Sequence, residues 1–175
     1  EELEAALGAS THAVFSTGNN TVELYQNTLV AGPAFGIGLN TMGILMMGAG
    51  SWWLVGNSLD LRPDLAQSGA AIGLRCGNGI GKQLHSNIFG TGHTGQRWLI
   101  VGDGTNYCTQ FASYSRNYFW IGAGGVDTNS DIVTQVTGTN GNILGNNVSP
   151  YQPGSFELAS GSVCIDNGAA GPLAG

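Results

Sequence analysis

Histidine, cysteine and carboxylate side chains could give this chain chemistry, and their spacing is the first thing to weigh. His85 and His93 lie eight residues apart in a Gly-rich stretch, with His12 far upstream. A metal site needs a third ligand on a fixed scaffold, and neither Cys76 nor Asp103 supplies a metal-binding spacing. These histidines therefore read as ordinary hydrogen-bonding residues. A thiol nucleophile at Cys76 or Cys108 would need activation by a nearby charge or a helix start, and neither is evident. No Gly-x-Ser-x-Gly elbow occurs. Asp127-Thr128-Asn129-Ser130-Asp131 places oxygen ligands at positions 1, 3 and 5, as a calcium loop begins. Its sixth position is Ile132 and its twelfth Gly138, so a polar turn is the better reading. Asn78–Gly81 and Gly90–Gly92 lack the Lys-Ser/Thr pair of a phosphate loop. The sequence thus points to no catalytic, metal-binding or cofactor-binding residue, to no cofactor, and to a non-enzymatic role.

Aromatic residues are the more informative set. Trp52, Trp53, Tyr114, Tyr118 and Trp120 fall in segments with strand character. Alternation along a strand sends one set to the core and the other to solvent or a partner. Outward Trp and Tyr could stack on sugar rings, or anchor a subunit interface, where they are enriched and charge is depleted. These five are the candidate interface or ligand residues.

Charge restricts the partners. Only 9% of the residues are charged, against roughly 25% in ordinary soluble domains. The net charge is −6, and the five basic residues, Arg62, Arg75, Lys82, Arg97 and Arg116, do not cluster. Nucleic acid and anionic membrane surfaces are poor partners for such a chain. The longest apolar run, Gly43–Gly50, is too short and too Gly-broken to span a bilayer. The chain opens on Glu1-Glu2-Leu3 with no basic leader segment, which reads as a processed product or a fragment of a longer protein. Three cysteines at wide spacing, Cys76, Cys108 and Cys164, read as reduced, mostly buried thiols from synthesis in a reducing cytosol, with one disulfide pair as the alternative.

The elements that must position these residues are mostly strands. Residues 1–10 have helical character, with acidic residues in the first turn and Leu3 and Leu7 on one face. They form a short N-terminal helix or arm ahead of a single β-rich domain spanning 11–175. Thr11–Ser16 and Thr21–Tyr25 flank a Gly-Asn turn and read as a hairpin. Val30–Val55 has room for two buried strands. Ala70–Arg75, Trp98–Val101, Tyr107–Ala112, Tyr114–Ile121 and Ile132–Val136 are further strands, with long Gly/Asn-rich loops at Leu59–Gln67 and Cys76–Gln96. No repeat of fixed period is evident, which disfavours a propeller or β-helix. The expected fold is an antiparallel sandwich or barrel-like domain. Val30–Val55 carries more large apolar residues than one small sheet face can bury, so part of it, or the aromatic strand Tyr114–Ile121, is expected against another chain.

Gln96-Arg97-Trp98-Leu99-Ile100-Val101-Gly102-Asp103 is the most distinctive segment. It resembles a motif of uncharacterised virion structural proteins of tailed bacteriophages, in which an Arg and a Trp precede aliphatics and Gly-Asp. Here Arg97 and Trp98 are adjacent, whereas the family separates them by one residue. Phe119-Trp120-Ile121-Gly122 stands where those proteins have an aromatic-Gly segment, without its Gly-Asp continuation, and Ser68–Leu74 resembles the preceding strand. The resemblance covers about residues 68–133. It implies a virion location and a structural role in the tail, baseplate or head decoration, with other virion proteins and copies of the same chain as partners. The alternative is a carbohydrate- or receptor-binding module such as a fibre tip, with a host surface glycan as partner. A surface-polymer hydrolase would need two paired carboxylates, and four of the 11 acidic residues fall in the first 23 positions.

Overall fold

The computed structural model describes residues 11–32, 40–46, 50–61, 71–76, 80–92, 97–102, 113–121, 138–146 and 149–165. The chain advances in coils of three strands. The first coil comprises β1 (Thr11–Ser16), β2 (Val22–Tyr25) and β3 (Thr28–Ala31). The second comprises β4 (Thr41–Met46), β5 (Ser51–Val55) and β6 (Ser58–Leu61), and the third β7 (Ala71–Cys76), β8 (Ile80–His85) and β9 (Ile88–Thr91). The fourth comprises β10 (Arg97–Gly102), β11 (Ser113–Ser115) and β12 (Tyr118–Ile121), and β13 (Ile143–Asn146) takes the third-sheet position of a fifth.

Each strand pairs in parallel with its counterpart one coil away. The sheets run β1-β4-β7-β10, β2-β5-β8-β11 and β3-β6-β9-β12-β13, so the strands stack as a three-sided parallel β-helix. This overturns the antiparallel sandwich or barrel, and with it the exclusion of a β-helix. No helix occurs among the described residues, and the expected helix at 1–10 lies outside them.

The error has a definite physical source. Thr11–Ser16 and Val22–Tyr25 are strands, but β1 pairs with β4 and β2 with β5. Their connecting turn bends the chain from one sheet to the next and does not reverse it. The expected loops at Leu59–Gln67 and Cys76–Gln96 contain β6, β8 and β9. Tyr107–Ala112 and Ile132–Val136 lie outside the described residues.

The core fills the tube with stacked like residues. Leu24, Leu54, Leu84 and Tyr114 occupy one register position, and Leu29, Leu59, Phe89, Phe119 and Leu144 another. All of them belong to, or pack against, one apolar cluster. Thr91 faces inward among them and donates its hydroxyl to the Leu61 carbonyl of the previous coil at 3.1 Å, so its buried oxygen is satisfied. Met42, Ile44, Leu45, Met46 and Trp52 are all buried within the single chain. These residues of the Val30–Val55 stretch therefore need no neighbour to cover them; Phe35, Ile37, Leu39 and Met47 lie outside the described residues.

Candidate functional site

The corner between the second and third sheets is built to one pattern. Gln26, Gly56, Ser86 and Arg116 have φ of 55°, 69°, 54° and 54°, and each is followed by an Asn. A left-handed residue turns the chain sharply, and the Asn side chain then satisfies the backbone groups that the turn strands. Asn27, Asn57, Asn87 and Asn117 form a ladder that Asn142 closes. The Nδ2 of each donates to the Oδ1 of the next, at 3.1, 2.9, 3.0 and 2.9 Å. The same oxygens accept the backbone N–H of the preceding Asn. Asn57, Asn87 and Asn117 also donate to Leu24, Leu54 and Leu84 carbonyls.

The ladder has a direction. At one end, Asn142 turns its Nδ2 onto the Tyr114 and Thr139 carbonyls, which uses up its donors. At the other end, no donor among the described residues reaches the Oδ1 of Asn27. Val22, Leu24 and Leu29 around it are only half-buried, whereas their counterparts Trp52, Leu54 and Leu59 are fully buried.

The five candidate aromatics do not converge. Trp52 lies in the core, 1% exposed. Tyr114 packs against the core from β11, and burial raises its phenol pKa far above the ordinary value. Trp53 points outward from β5, half-buried, in register with exposed Glu23 and half-buried Gln83. Tyr118 and Trp120 point outward from β12. The Tyr118 ring occupies the space a side chain at 145 would need, and the Trp120 ring does the same at 90, so Gly145 and Gly90 are required beneath them. Burial, with the nearby Cys164 thiol, raises the Tyr118 phenol pKa.

A segment from Ser149 to Ile165 follows, carrying an antiparallel bridge between Tyr151 and Leu158. Together with Asp60 of β6 and Trp120, its 149–155 turn encloses a cleft of about 210 Å³. Cys164 and Val163 help to line a smaller cavity of about 50 Å³ beside Tyr118 and the ladder residues Asn87 and Asn117.

His85 is a strand residue whose ring lies between two hydroxyls. Its Nδ1 meets Ser115 Oγ, and its Nε2 meets Ser113 Oγ at 3.0 Å. Desolvation lowers its pKa, which suits a neutral ring that donates to one serine and accepts from the other. His93, Asp103 and Asp127–Asp131 lie outside the described residues. Among the described residues, no group of three His, Cys, Asp or Glu could hold a metal ion. Glu23 and Asp60 stand on different sheets.

One thiol expectation is corrected. Cys76 is disulfide-bonded and Cys164 is free, so the three cysteines are not all reduced; Cys108 lies outside the described residues.

The sequence reasoning missed the ladder, although its signal is present. Leu24-x-x-Asn27-x-Leu29, Leu54-x-x-Asn57-x-Leu59, Leu84-x-x-Asn87-x-Phe89 and Tyr114-x-x-Asn117-x-Phe119 recur at 30-residue spacing. Asp60 and the Tyr151–Ser155 turn carried no comparable pattern. Comparison with protein-family models, with curated proteins and with solved structures finds no match for this chain.

Proposed function

We propose that this chain is a non-enzymatic structural component of a bacteriophage particle, acting through protein–protein contacts at the first-coil end of its β-helix. The observation that carries the reading is the asymmetry of the two ladder ends. Asn142 and the turn at Thr139 close one end. Among the described residues, the other presents the Asn27 carboxamide oxygen, half-buried Leu24 and Leu29, and the edges of β1, β2 and β3. Edge strands offer unpaired backbone groups to an incoming strand. The fitting partner is a strand-forming segment of a neighbouring virion protein that can donate N–H groups to Asn27.

The virion setting comes from the resemblance of Arg97–Asp103 and its surroundings. The segment Arg97–Gly102 forms β10, the last described strand of the first sheet. The low charge suits a surface that spends its life against other proteins.

Two measurements test this reading. Mass spectrometry of purified phage particles should find the chain in stoichiometric amount. Thr28→Lys with Val30→Lys, both at exposed positions of the edge strand β3, should abolish incorporation while the isolated protein keeps its melting temperature within a few degrees. Absence from particles, or normal incorporation of the double variant, would sink it.

A further inference from the structure

We infer that the cleft between Trp120, Asp60 and the Tyr151–Ser155 turn is a binding subsite for one neutral sugar residue. Asp60, Gly90 and Trp120 occupy one outward row of the third sheet, on three successive coils. Asp60 and Trp120 are thus separated by two strand spacings, about 10 Å of sheet. The missing side chain at Gly90 lets the indole fold down into the space between them, where its Nε1, Cε2 and Cδ1 lie over the glycine. Trp120 remains half-exposed and lines the cleft, with the Asp60 carboxylate on the same lining. The Trp120 Nε1 is buried and has no hydrogen-bond partner among the described residues.

The chain itself makes the opposite wall. Tyr151 is 8% exposed and is braced edge-on by Phe156 at 5.4 Å between ring centroids. Burial keeps its phenol protonated, and the Asp60 charge acts in the same direction. Ser149, Gln152 and Ser155 add hydroxyl and amide groups around the rim.

The chemistry selects the ligand class. An indole surface offers a flat apolar platform to the C–H face of a pyranose. The carboxylate, amide and hydroxyls supply the acceptors and donors that ring hydroxyls need. No cationic side chain lines the cleft, so an anionic ligand is disfavoured. Its volume of about 210 Å³ is below the roughly 300 Å³ at which drug-sized sites begin, which fits one ring and not an oligomer enclosed whole. A quaternary ammonium would want aromatic faces on several sides, whereas the Tyr151 ring is already taken up by Phe156. The inference does not rest on the proposed assembly contact, whose edge strand β3 lies one strand away from Asp60.

Titration of the ¹⁵N-labelled chain with glucose, galactose, mannose, rhamnose and N-acetylglucosamine, monitored through the indole N–H resonances, tests the site. The resonance absent from Trp120→Phe identifies the relevant signal. At least one sugar should shift it saturably and leave the Trp53 resonance in place. Asp60→Asn and Gln152→Ala should each weaken that binding at least tenfold; Gln152 is exposed on the turn, so its replacement leaves the core untouched. The inference falls if no sugar shifts the Trp120 signal at high millimolar concentration. It also falls if Gln152→Ala and Asp60→Asn bind as the parent does, or if choline shifts the signal and the sugars do not.

Discussion

Phe89 and Phe119 stack face to face, ring centroids 5.8 Å apart and planes 13° from parallel, on successive coils of the third sheet. Both are essentially inaccessible. Phe119→Ala should cost about 3–5 kcal/mol, and Phe119→Leu less than about 1.5 kcal/mol. Urea unfolding of Phe89→Leu, Phe119→Leu and the double variant should give a coupling of about 0.5–1.5 kcal/mol, as contacting aromatics do.

The Asn ladder predicts a graded response along the axis. Asn87 accepts from the Asn57 N–H and Nδ2, and donates to the Leu54 carbonyl and Asn117. Asn87→Ala strands several buried groups and should cost at least about 3 kcal/mol. Asn27→Ala, at the half-buried end, should cost about 1 kcal/mol. Equal losses at the two positions would show that the ladder does not act as a buried network.

The corner residues make an independent test. Gln26 is exposed and holds φ at 55° with a side chain, whereas Gly56 holds 69° without one. Gly56→Ala should destabilise by about 1–2 kcal/mol. Gln26→Gly should be neutral to stabilising by up to about 1 kcal/mol, the strain relieved being offset in part by the greater freedom of the unfolded chain. Thermal melts of both variants give the sign directly.

His85 predicts a pH dependence. Desolvation puts its folded pKa below the unfolded value of 6.5. As pH falls through 6.5 the unfolded chain takes up the proton first, so this contribution is complete above 6.5 and is lost progressively below it. Stability should therefore fall on acidification from pH 7.5 toward 5, and His85→Gln should flatten that slope. A slope unchanged in the variant would place the titrating group elsewhere.

The cysteines predict a thiol count. Denatured without reductant, the chain should react at one thiol, and after reduction at three. In the native state Cys164 should react slowly, because burial raises its pKa and thins the thiolate. A count of three without reductant would show Cys76 to be reduced in the isolated protein.

Local strand character was legible in the sequence: β1 has the expected bounds, β4, β5 and β12 fall inside the expected segments, and β7 and β10 match theirs to within one residue at each end. What strands pair with was not. Period-2 alternation is identical in a hairpin and in one side of a β-helix, and a Gly-Asn corner at 56–57 resembles a hairpin turn. The discriminating signal was long-range, the recurrence of Asn27, Asn57, Asn87 and Asn117. It was obscured because the first sheet steps by 26 residues from Ala71 to Arg97 while the other two keep 30 from His85 to Ser115 and Ile88 to Tyr118. The aromatics were legible as a set but not by face: Trp52 and Trp53 are adjacent, and only the fold decides which is inside. Asp60 looked like a loop residue because Arg62, Pro63 and Asp64 follow it.

Parallel pairing at one-coil spacing also governs how the chain can reach its native state. Neighbouring strands close loops of 25–30 residues everywhere along the axis, so no contact between sheets can form cheaply and first. The first pair of coils is the slow nucleation event, and each later coil propagates onto an existing template at a lower entropic cost. A lesion in a middle coil interrupts propagation in both directions, whereas one in a terminal coil removes a single interface.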